Sequence, residues 1–191
     1  MTVEDISAFI MAGGRSRRFG EDKALYPYRG RTLIEHAVET VRAVIPRVAI
    51  IADTADRYRF PGIACHADIM PGMGPAGGVY TAVRVAETVR AFVFACDMPD
   101  LDAGLMRYMI SVSEGYDVTI PLLGGNYEPL HAVYSRNCAG PLERHFGEGK
   151  RRIISFFDDV RVRPVTEEEI RKFADPSRAF RNINYRRDAE E

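Results

Sequence analysis

The sequence predicts a three-layer α/β/α sandwich with a mainly parallel central sheet. Short apolar runs at residues 6–11, 48–52 and 91–95 alternate with stretches that have the periodicity of amphipathic helices. The runs are apolar throughout, whereas a strand with one face in water would alternate with polar residues. Strands of this kind, separated by helices, are typical of a parallel sheet that is covered on both faces. We expect one domain that spans residues 1–191.

Composition places the chain among ordinary globular proteins. Of its 191 residues, 46% are hydrophobic and 28% are charged, which argues against disorder. The formal net charge is −1, so overall electrostatics give no support for a nucleic-acid partner. The three cysteines form no CxxC pair, which argues against a zinc site or a disulfide framework. The N-terminal segment is acidic and no stretch approaches the ~18 apolar residues of a membrane helix, so we expect a cytoplasmic protein without a membrane partner.

Helix starts can be recognised from capping patterns. Thr32 and Glu35 form a capping box before an amphipathic stretch, which predicts a helix over residues 32–44. Thr166 and Glu169 repeat the pattern near the C-terminus. Pro75 favours another helix start, because the first turn does not need its missing N–H group. The remaining predicted helices are residues 74–86, 102–113 and 138–146, and the remaining predicted strands are residues 63–65, 118–121, 130–134 and 160–165.

The segment from Met11 to Lys23 carries the strongest functional signal, because ligands of such sheets bind where the parallel strands end. Its sequence is MAGGRSRRFGEDK. Gly13 and Gly14 let the backbone approach a ligand closely, and their N–H groups can point at phosphate oxygens. The segment also supplies the positive charge that a triphosphate needs, through Arg15, Arg17, Arg18 and Lys23. A solvated basic turn is the alternative, but it does not explain why two glycines directly follow a buried strand.

This segment is not a Walker A loop. That motif needs four residues between its glycines and then Lys-Ser/Thr. In this sequence five residues separate Gly14 from Gly20, and Glu21 follows.

A second glycine motif resembles a dinucleotide-binding fingerprint. Gly72, Gly74 and Gly77 spell GxGxxG, and Asp97 lies 20 residues beyond the last of them. The fingerprint needs its first glycine at the end of a strand, and here residues 66–71 intervene. A dinucleotide-dependent oxidoreductase therefore stays as the weaker alternative.

The segment CDMP at residues 96–99 carries the second strong signal. Asp97 follows the apolar run at residues 91–95, and Pro99 prevents that strand from continuing. A carboxylate at this edge can hold Mg²⁺ through one or two oxygens, while phosphates and waters complete the coordination shell. The alternative is that Asp97 belongs to the turn that begins the following helix.

Asp53 and Asp68 follow the second and third predicted strands, and either could contact a nucleotide. Asp53 could instead cap residues 55–58, and Asp68 could order the turn rich in Pro and Gly that follows it. Residues 74–78 predict a helix start whose N–H groups suit an anion or a ribose, although close packing of a glycine-rich helix explains them as well.

The histidines form no Ser-His-Asp or Cys-His pattern, so nucleophilic hydrolysis lacks support. His131 lies inside an apolar predicted strand, and we expect a structural residue whose hydrogen bonds are satisfied. The basic residues 149–152 favour a solvated helix start over a contact with a phosphorylated second substrate.

Four segments carry a family resemblance from one end of the chain to the other. MAGGRSRRFGEDK (11–23) resembles LAGGxSxRMGxDK, PGMGPAGGV (71–79) resembles GPLAG, CDMP (96–99) resembles CDxP, and FRNINYRRD (180–188) resembles FxNINTPED. These are the signatures of the molybdenum cofactor guanylyltransferases, which have a Rossmann-like nucleotidyltransferase fold of the GT-A type. Cytidylyltransferase relatives tend to have AAG where this chain has Ala12-Gly13-Gly14.

The resemblance implies transfer of GMP from GTP to molybdopterin with Mg²⁺ as the cofactor and pyrophosphate as the leaving group. It implies that Lys23, Asp97 and Arg17 are catalytic and that Asp97 holds the metal. The implied nucleotide-binding residues are Met11, Ala12, Gly13, Gly14, Arg15, Lys23, Asp53, Asp68 and Asp97. Asn182 and Asn184 would lie near the pterin substrate. Transient contact with other proteins of cofactor biosynthesis or with molybdoenzymes is also implied.

Three departures from the family pattern bear on which base and which acceptor the protein binds more than on the type of reaction. Asp53 replaces an Asn, Glu128 replaces the Gln of a QPL segment, and Tyr185-Arg186-Arg187 replaces Thr-Pro-Glu. Alternatives therefore include a cobinamide phosphate or a sugar 1-phosphate as the acceptor, and CTP as the donor. A GTP-binding module without catalysis is the alternative from another class.

Overall fold

The computed structural model describes residues 2–13, 22–185 and 188. Its strands are β1 (Ile6–Met11), β2 (Pro27–Tyr28), β3 (Arg31–Thr32), β4 (Val48–Ala52), β5 (Ala64–Ala67), β6 (Arg90–Ala95), β7 (Val118–Leu123), β8 (Asn126–Tyr127), β9 (His131–Ser135) and β10 (Val162–Thr166). Its α-helices are α1 (Leu33–Arg42), α2 (Pro75–Val85), α3 (Ala103–Ser111), α4 (Ala139–Gly147), α5 (Glu167–Ile170) and α6 (Pro176–Ala179).

The central sheet has the order β10-β7-β9-β6-β1-β4-β5, and β8 extends β7 at one side. β1 pairs in parallel with both β4 and β6, β4 with β5, and β7 with β10. β9 is antiparallel to both of its neighbours. The chain reaches β9 from β7 through a short hairpin at Gly124 and Gly125, whose positive φ angles suit glycine, and so short a connection can join only antiparallel strands. The predicted fold class, a mainly parallel α/β sheet, is confirmed.

Each central strand is buried on both faces, as the apolar runs predict. Along β6, Phe92 and Phe94 face the core that contains α1 and α3, whereas Ala91 and Val93 face the core that contains α2 and α4. Successive side chains of a strand point to opposite faces, so a strand between two helical layers needs apolar residues at every position. The three-layer arrangement follows directly from this requirement.

The predicted helix starts are confirmed at their caps. The Thr32 hydroxyl accepts from the backbone N–H of Glu35, whose carboxylate accepts from the Thr32 N–H, and this capping box begins α1. Thr166 and Glu169 form the same box at α5. α2 has Pro75 in its first turn, as predicted.

Some predicted boundaries were wrong by one or two residues. The strand expected at residues 63–65 is Ala64–Ala67, and the strand expected at 160–165 begins at Val162 because the 3₁₀ helix Ile153–Asp159 precedes it. The short β2–β3 hairpin was not predicted. Two-residue strands carry too little periodicity for a pattern to be seen.

The parallel strands bring their carboxyl ends to one edge of the sheet. Met11 is in register with Ile51 of β4 and Ala95 of β6. The Cys96 N–H donates to the carbonyl of Met11 (3.2 Å), and the Asp68 N–H donates to the carbonyl of Ala52 (2.8 Å). The loops that follow β1, β4, β5 and β6 therefore begin side by side. Within the described ranges, no helix is both long and apolar enough to cross a bilayer.

Candidate active site

A cavity of about 610 Å³ opens at this edge of the sheet. Its volume is within the range of small-molecule sites. Lining residues come from the ends of β1, β4, β5 and β6, and among them are seven of the predicted site residues: Met11, Ala12, Gly13, Lys23, Asp53, Asp68 and Asp97. Gly14, Arg15, Arg17 and Arg18 lie outside the described residues, so their predicted roles stay predictions.

Lys23 and Asp97 meet inside this cavity. The Asp22 carboxylate accepts from the Ala24 N–H (3.2 Å) and so caps the 3₁₀ turn Lys23–Leu25, which fixes where the Lys23 side chain begins. Lys23 Nζ then lies 2.6 Å from Asp97 Oδ2 and donates to Asn184 Oδ1 at 3.2 Å. Both members of the ion pair are partly buried, with side chains 15% and 22% exposed.

The C-terminal segment passes directly over Asp97. The Ile183 N–H donates to the Asp97 carbonyl (2.9 Å), which brings Asn184 within reach of Lys23. Asn182 points elsewhere: its side-chain amide donates to the Phe180 carbonyl at 3.3 Å. Of the two asparagines that the resemblance implies, only Asn184 contacts the Lys23–Asp97 pair.

Asp100 anchors the same segment, and no sequence pattern indicated this role. Its carboxylate is nearly buried and accepts from Arg181 (3.2 Å) and from Arg29 (3.4 Å), with Arg178 at 3.8 Å. Arg181 also donates to the Tyr28 hydroxyl at 2.7 Å. These contacts fix the C-terminal segment against the β2–β3 hairpin and the loop after β6.

Asp68 orders its own turn, one of its two predicted roles. Oδ1 accepts from the Met70 N–H (2.9 Å) and from the Thr81 hydroxyl (2.8 Å), which ties the loop after β5 to α2. Its carboxylate also lines the cavity, so both predicted roles of Asp68 are compatible with the geometry.

Asp53 lines the cavity as well, and it is close to Gly13. A Cβ on Gly13 would lie 3.5 Å from Asp53 Oδ1. Asp53 pairs with Arg57 on the same turn. Arg57 also binds Asp22, and the buried Tyr58 hydroxyl lies beside Asp22. Neither Arg57 nor Tyr58 was a candidate site residue in the sequence. Arg and Tyr outside a motif give no signal of function, and only the folded chain brings them to the site.

The helix start at Gly74 borders the cavity, and two glycines of this helix, Gly77 and Gly78, permit close packing. A Cβ on Gly77 would lie 2.5 Å from the Met70 carbonyl oxygen, and a Cβ on Gly78 would overlap the end of the Met11 side chain. β5 ends at Ala67, well before Gly72, so this segment lacks the strand-to-glycine junction of a dinucleotide fingerprint.

The expectation for His131 was wrong in one respect. The residue is structural and fully buried, but neither ring nitrogen has a hydrogen-bond partner in the described part of the chain. Its ring centroid lies 4.9–5.7 Å from those of Phe92, Phe94 and Phe180. Burial among these rings lowers the pKa of His131 to about 3, so the imidazole is neutral at physiological pH.

The other basic cluster does not line the cavity. Lys150 pairs with Glu148 at 2.7 Å, and both side chains are about half exposed. Arg151 and Arg152 are exposed. The prediction of a solvated segment at residues 149–152 fits these positions.

The donor set at the cavity suits Mg²⁺ that arrives with phosphates. Among the described residues, no group of three or more His, Cys, Asp or Glu side chains could cage a metal by itself. Mg²⁺ is commonly held by one or two carboxylates, with substrate phosphates and waters as the other ligands. Asp97, beside a cavity large enough for a nucleotide, offers such a carboxylate.

Comparisons with known proteins show which family the chain belongs to. Residues 8–163 match the model of the MobA-like NTP transferase domain. The chain is 33% identical over 188 residues to a "Probable molybdenum cofactor guanylyltransferase" from Carboxydothermus hydrogenoformans, covering 98% of this chain and 95% of that protein. It is 38% identical over 175 residues to a protein of the same name from Pelotomaculum thermopropionicum, covering 92% of this chain and 85% of the other.

Solved structures show the same likeness. The molybdopterin-guanine dinucleotide biosynthesis protein A of Archaeoglobus fulgidus superposes with a TM-score of 0.81 at 26% identity, covering 96% of this chain and 95% of that one. A nucleotidyl transferase from Methanothermobacter thermautotrophicus shares the fold alone, with a TM-score of 0.70 at 19% identity over 96% and 93% of the two chains. This chain is a nucleotidyltransferase that belongs to the MobA-like NTP transferase domain family.

Proposed function

We propose that this protein transfers GMP from GTP to molybdopterin, forming molybdopterin guanine dinucleotide and pyrophosphate. One observation carries the proposal: Lys23 and Asp97 line a nucleotide-sized cavity at the carboxyl edge of the sheet, and Asn184 contacts Lys23 there. The names of the relatives, which are guanylyltransferases for the molybdenum cofactor, support the choice of donor and acceptor.

The nucleotide would lie along the β1, β4 and β5 side of the cavity. Backbone groups of Met11, Ala12 and Gly13 can approach it closely, because Gly13 has no side chain. Asp53 and Asp68 can accept hydrogen bonds from the ribose or the base. We expect Arg15 and Arg17 to add charge against the phosphates, beside Lys23.

Asp97 is the residue that would hold Mg²⁺. When bound with the nucleotide, Mg²⁺ would neutralise and orient the reacting phosphates. Lys23 carries positive charge at the same place, and it can turn from Asp97 towards the β- and γ-phosphates when the nucleotide enters. Lysine suits this movement because its charge is compact and its stem is flexible.

The reaction is a displacement at the α-phosphorus of GTP. A terminal phosphate oxygen of the acceptor forms the new P–O bond, and the bond between the α-phosphorus and the bridging oxygen of the β-phosphate breaks. The electron pair leaves with pyrophosphate. The attacking phosphate is already ionised, so no protein base is required. Both reactants are anions, and the protein therefore contributes positioning and positive charge.

The acceptor would enter on the side of the C-terminal segment. Asn184 contacts Lys23, whose partner Asp97 would hold Mg²⁺, so an acceptor that binds Asn184 would lie near the reacting phosphates. Asn182 can join it only if its side chain leaves the Phe180 carbonyl. Residence in the cytoplasm and transient contacts with other proteins of the pathway stay predictions from the sequence.

A panel of donors and acceptors tests the proposal. The purified protein would be incubated with Mg²⁺, molybdopterin and either GTP, CTP or ATP, and the products identified by mass spectrometry with pyrophosphate release measured in parallel. We expect the guanine dinucleotide with GTP. If CTP were the only donor that gave a product, the protein would be a cytidylyltransferase. If only a cobinamide phosphate or a sugar 1-phosphate accepted the nucleotide, the proposed acceptor would be wrong. GTP binding without pyrophosphate release from any acceptor would indicate a binding module.

A further inference from the structure

We propose that Tyr58, together with Arg57, is a positioning residue for the transfer reaction. Tyr58 links the end of β1 to Asp22 and so sets the position of Lys23 in the nucleotide cavity. This inference rests on the proposed function for the identity of the nucleotide, but it concerns residues that lie behind the cavity rather than in contact with the substrate.

The Tyr58 hydroxyl lies between two acceptors. It is 3.0 Å from the Ala12 carbonyl oxygen and 2.8 and 2.9 Å from the two carboxylate oxygens of Asp22. The side chain is only 4% exposed. A hydroxyl carries one proton, and the charged carboxylate is the stronger acceptor, so Tyr58 donates mainly to Asp22. Burial is the larger cause and the neighbouring Asp22 carboxylate the smaller one, and both raise the pKa of Tyr58, so the hydroxyl keeps its proton.

Arg57 contacts the same carboxylate. Nε and Nη2 lie 3.1 and 3.0 Å from Asp22 Oδ2, and Nη1 pairs with Asp53 at the wall of the cavity. Two guanidinium donors on one carboxylate restrict its orientation more than a single contact would. With the Ala24 N–H as a further donor, Asp22 is fixed by three different residues.

These contacts matter for the reaction because of what flanks them. In the sequence, Ala12 and Asp22 stand on either side of the glycine- and arginine-rich segment, and Lys23 follows Asp22 directly. By contacting both Ala12 and Asp22, the Tyr58 hydroxyl fixes the backbone at these two residues, and Lys23 extends from the backbone next to Asp22. Misplacement of a phosphate-binding group by about 1 Å can lower the rate on the order of 100-fold. Loss of the Tyr58 hydroxyl can therefore lower the rate strongly by shifting Lys23.

A purely structural role is the alternative, because Tyr58 also belongs to the core beside β1. The chain offers two matched controls. The Tyr80 hydroxyl donates to Glu143 and the Tyr108 hydroxyl donates to Glu169, and neither pair lines the cavity. Each control loses a tyrosine–carboxylate hydrogen bond of the same type at a place remote from Lys23.

The test compares Tyr58→Phe with Tyr80→Phe and Tyr108→Phe. For each variant, the melting temperature, the affinity for GTP with Mg²⁺ by calorimetry, and kcat and KM would be measured. We expect Tyr58→Phe to raise the Kd and KM for GTP about tenfold and to lower kcat/KM by about 10- to 100-fold, with a melting temperature similar to those of the controls. Unchanged GTP affinity and kcat/KM in Tyr58→Phe, or an equal loss in all three variants, would overturn the proposal.

Arg57 provides a second approach that leaves the core intact. Arg57→Gln should weaken GTP binding in the same direction, whereas Arg59→Gln, at an exposed neighbour, should not. In the double variant Tyr58→Phe/Asp22→Ala, removal of the hydroxyl should add little to the effect of Asp22→Ala, because both changes break one linkage. Fully additive effects would contradict the linkage. Calorimetry measures the effect of this linkage on GTP binding even if the wild-type protein transfers GMP to no acceptor. Failure of this inference and failure of the proposed function are therefore distinguishable.

Discussion

The ammonium group of Lys23 and the carboxylate of Asp97 form a 2.6 Å ion pair between side chains that are 74 residues apart in the sequence. Lys23 comes from the turn after the glycine-rich segment, and Asp97 comes from the end of β6. β1 and β6 are parallel neighbours, so their carboxyl ends bring the two residues into one cavity. The Lys23 ammonium pairs with the carboxylate that we propose as the metal ligand, so we expect nucleotide binding and metal binding to be coupled.

Removal of either partner should stop the reaction without unfolding the protein. We expect Lys23→Ala and Asp97→Ala each to lower kcat by at least about 1,000-fold, since Lys23 supplies positive charge to the transition state and Asp97 would hold the Mg²⁺ that does the same. Circular dichroism and thermal melting would verify the fold. Wild-type turnover in either variant would contradict the assigned roles.

Lys23→Met should also change metal binding by the protein without nucleotide. Loss of the ammonium group leaves the Asp97 carboxylate unpaired, so we expect Mn²⁺, used as a probe for Mg²⁺, to bind about tenfold more tightly than to wild type. Electron paramagnetic resonance of unbound Mn²⁺ measures this directly. Lys150→Met, which breaks the exposed pair with Glu148, is the control and should leave Mn²⁺ affinity unchanged.

Asp100→Ala should loosen the C-terminal segment. The substitution leaves Arg181 and Arg29 without their nearly buried carboxylate, and we expect the free energy of unfolding to fall by about 1–3 kcal/mol. KM for the acceptor should rise more than KM for GTP, because Asn184 belongs to the loosened segment. Arg29→Ala, at an exposed side chain, should cost less than about 1 kcal/mol in chemical denaturation. Equal changes in both KM values would argue against a role of the segment in acceptor binding.

Gly77→Ala should destabilise the junction between the loop after β5 and α2. The added Cβ would meet the Met70 carbonyl oxygen at 2.5 Å, and a backbone atom cannot move aside as a side chain can. We expect a loss of about 1–3 kcal/mol in the free energy of unfolding, with weaker GTP binding. In Gly140→Ala the new Cβ has only the end of the Arg144 side chain nearby, at 3.9 Å, and helix propensity should instead add about 0.5–1 kcal/mol. Similar stabilities of the two variants would show that the close approach is tolerated.

His131 should make the protein less stable in mild acid. Its pKa is about 3 in the folded state because of burial, and about 6.5 in an unfolded chain, so between these values the unfolded state binds more protons. The contribution of neutral His131 to the free energy of unfolding is therefore largest above pH 6.5. It falls as the pH decreases, by about 2 kcal/mol between pH 7 and pH 5. Urea denaturation at both pH values should show this loss in wild type and in His66→Phe. His131→Phe should show a loss smaller by that amount, and an unchanged pH dependence would refute the assignment.

The sequence by itself determined the fold class, most of the strands and the identity of both members of the Lys23–Asp97 pair. Strands that are apolar at every position can exist only between two helical layers, and glycines or an aspartate directly after such strands must lie at the ligand-binding edge. Local rules also placed the helix starts, because a capping box is satisfied by residues three positions apart.

Only the tertiary structure decided which distant side chains surround that edge. Tyr58, Arg57 and Asp100 belong to no motif, and Arg181 occupies the variable position of the motif at residues 180–188. These residues reach the site because the loops after β4 and β6 and the C-terminal segment pack together at one edge of the sheet. The burial of His131 among Phe92, Phe94 and Phe180 is likewise set by neighbours that are remote in the sequence. Pattern and spacing report on local conformation and on the face of a strand, whereas hydrogen bonds between loops depend on how strand order brings those loops together.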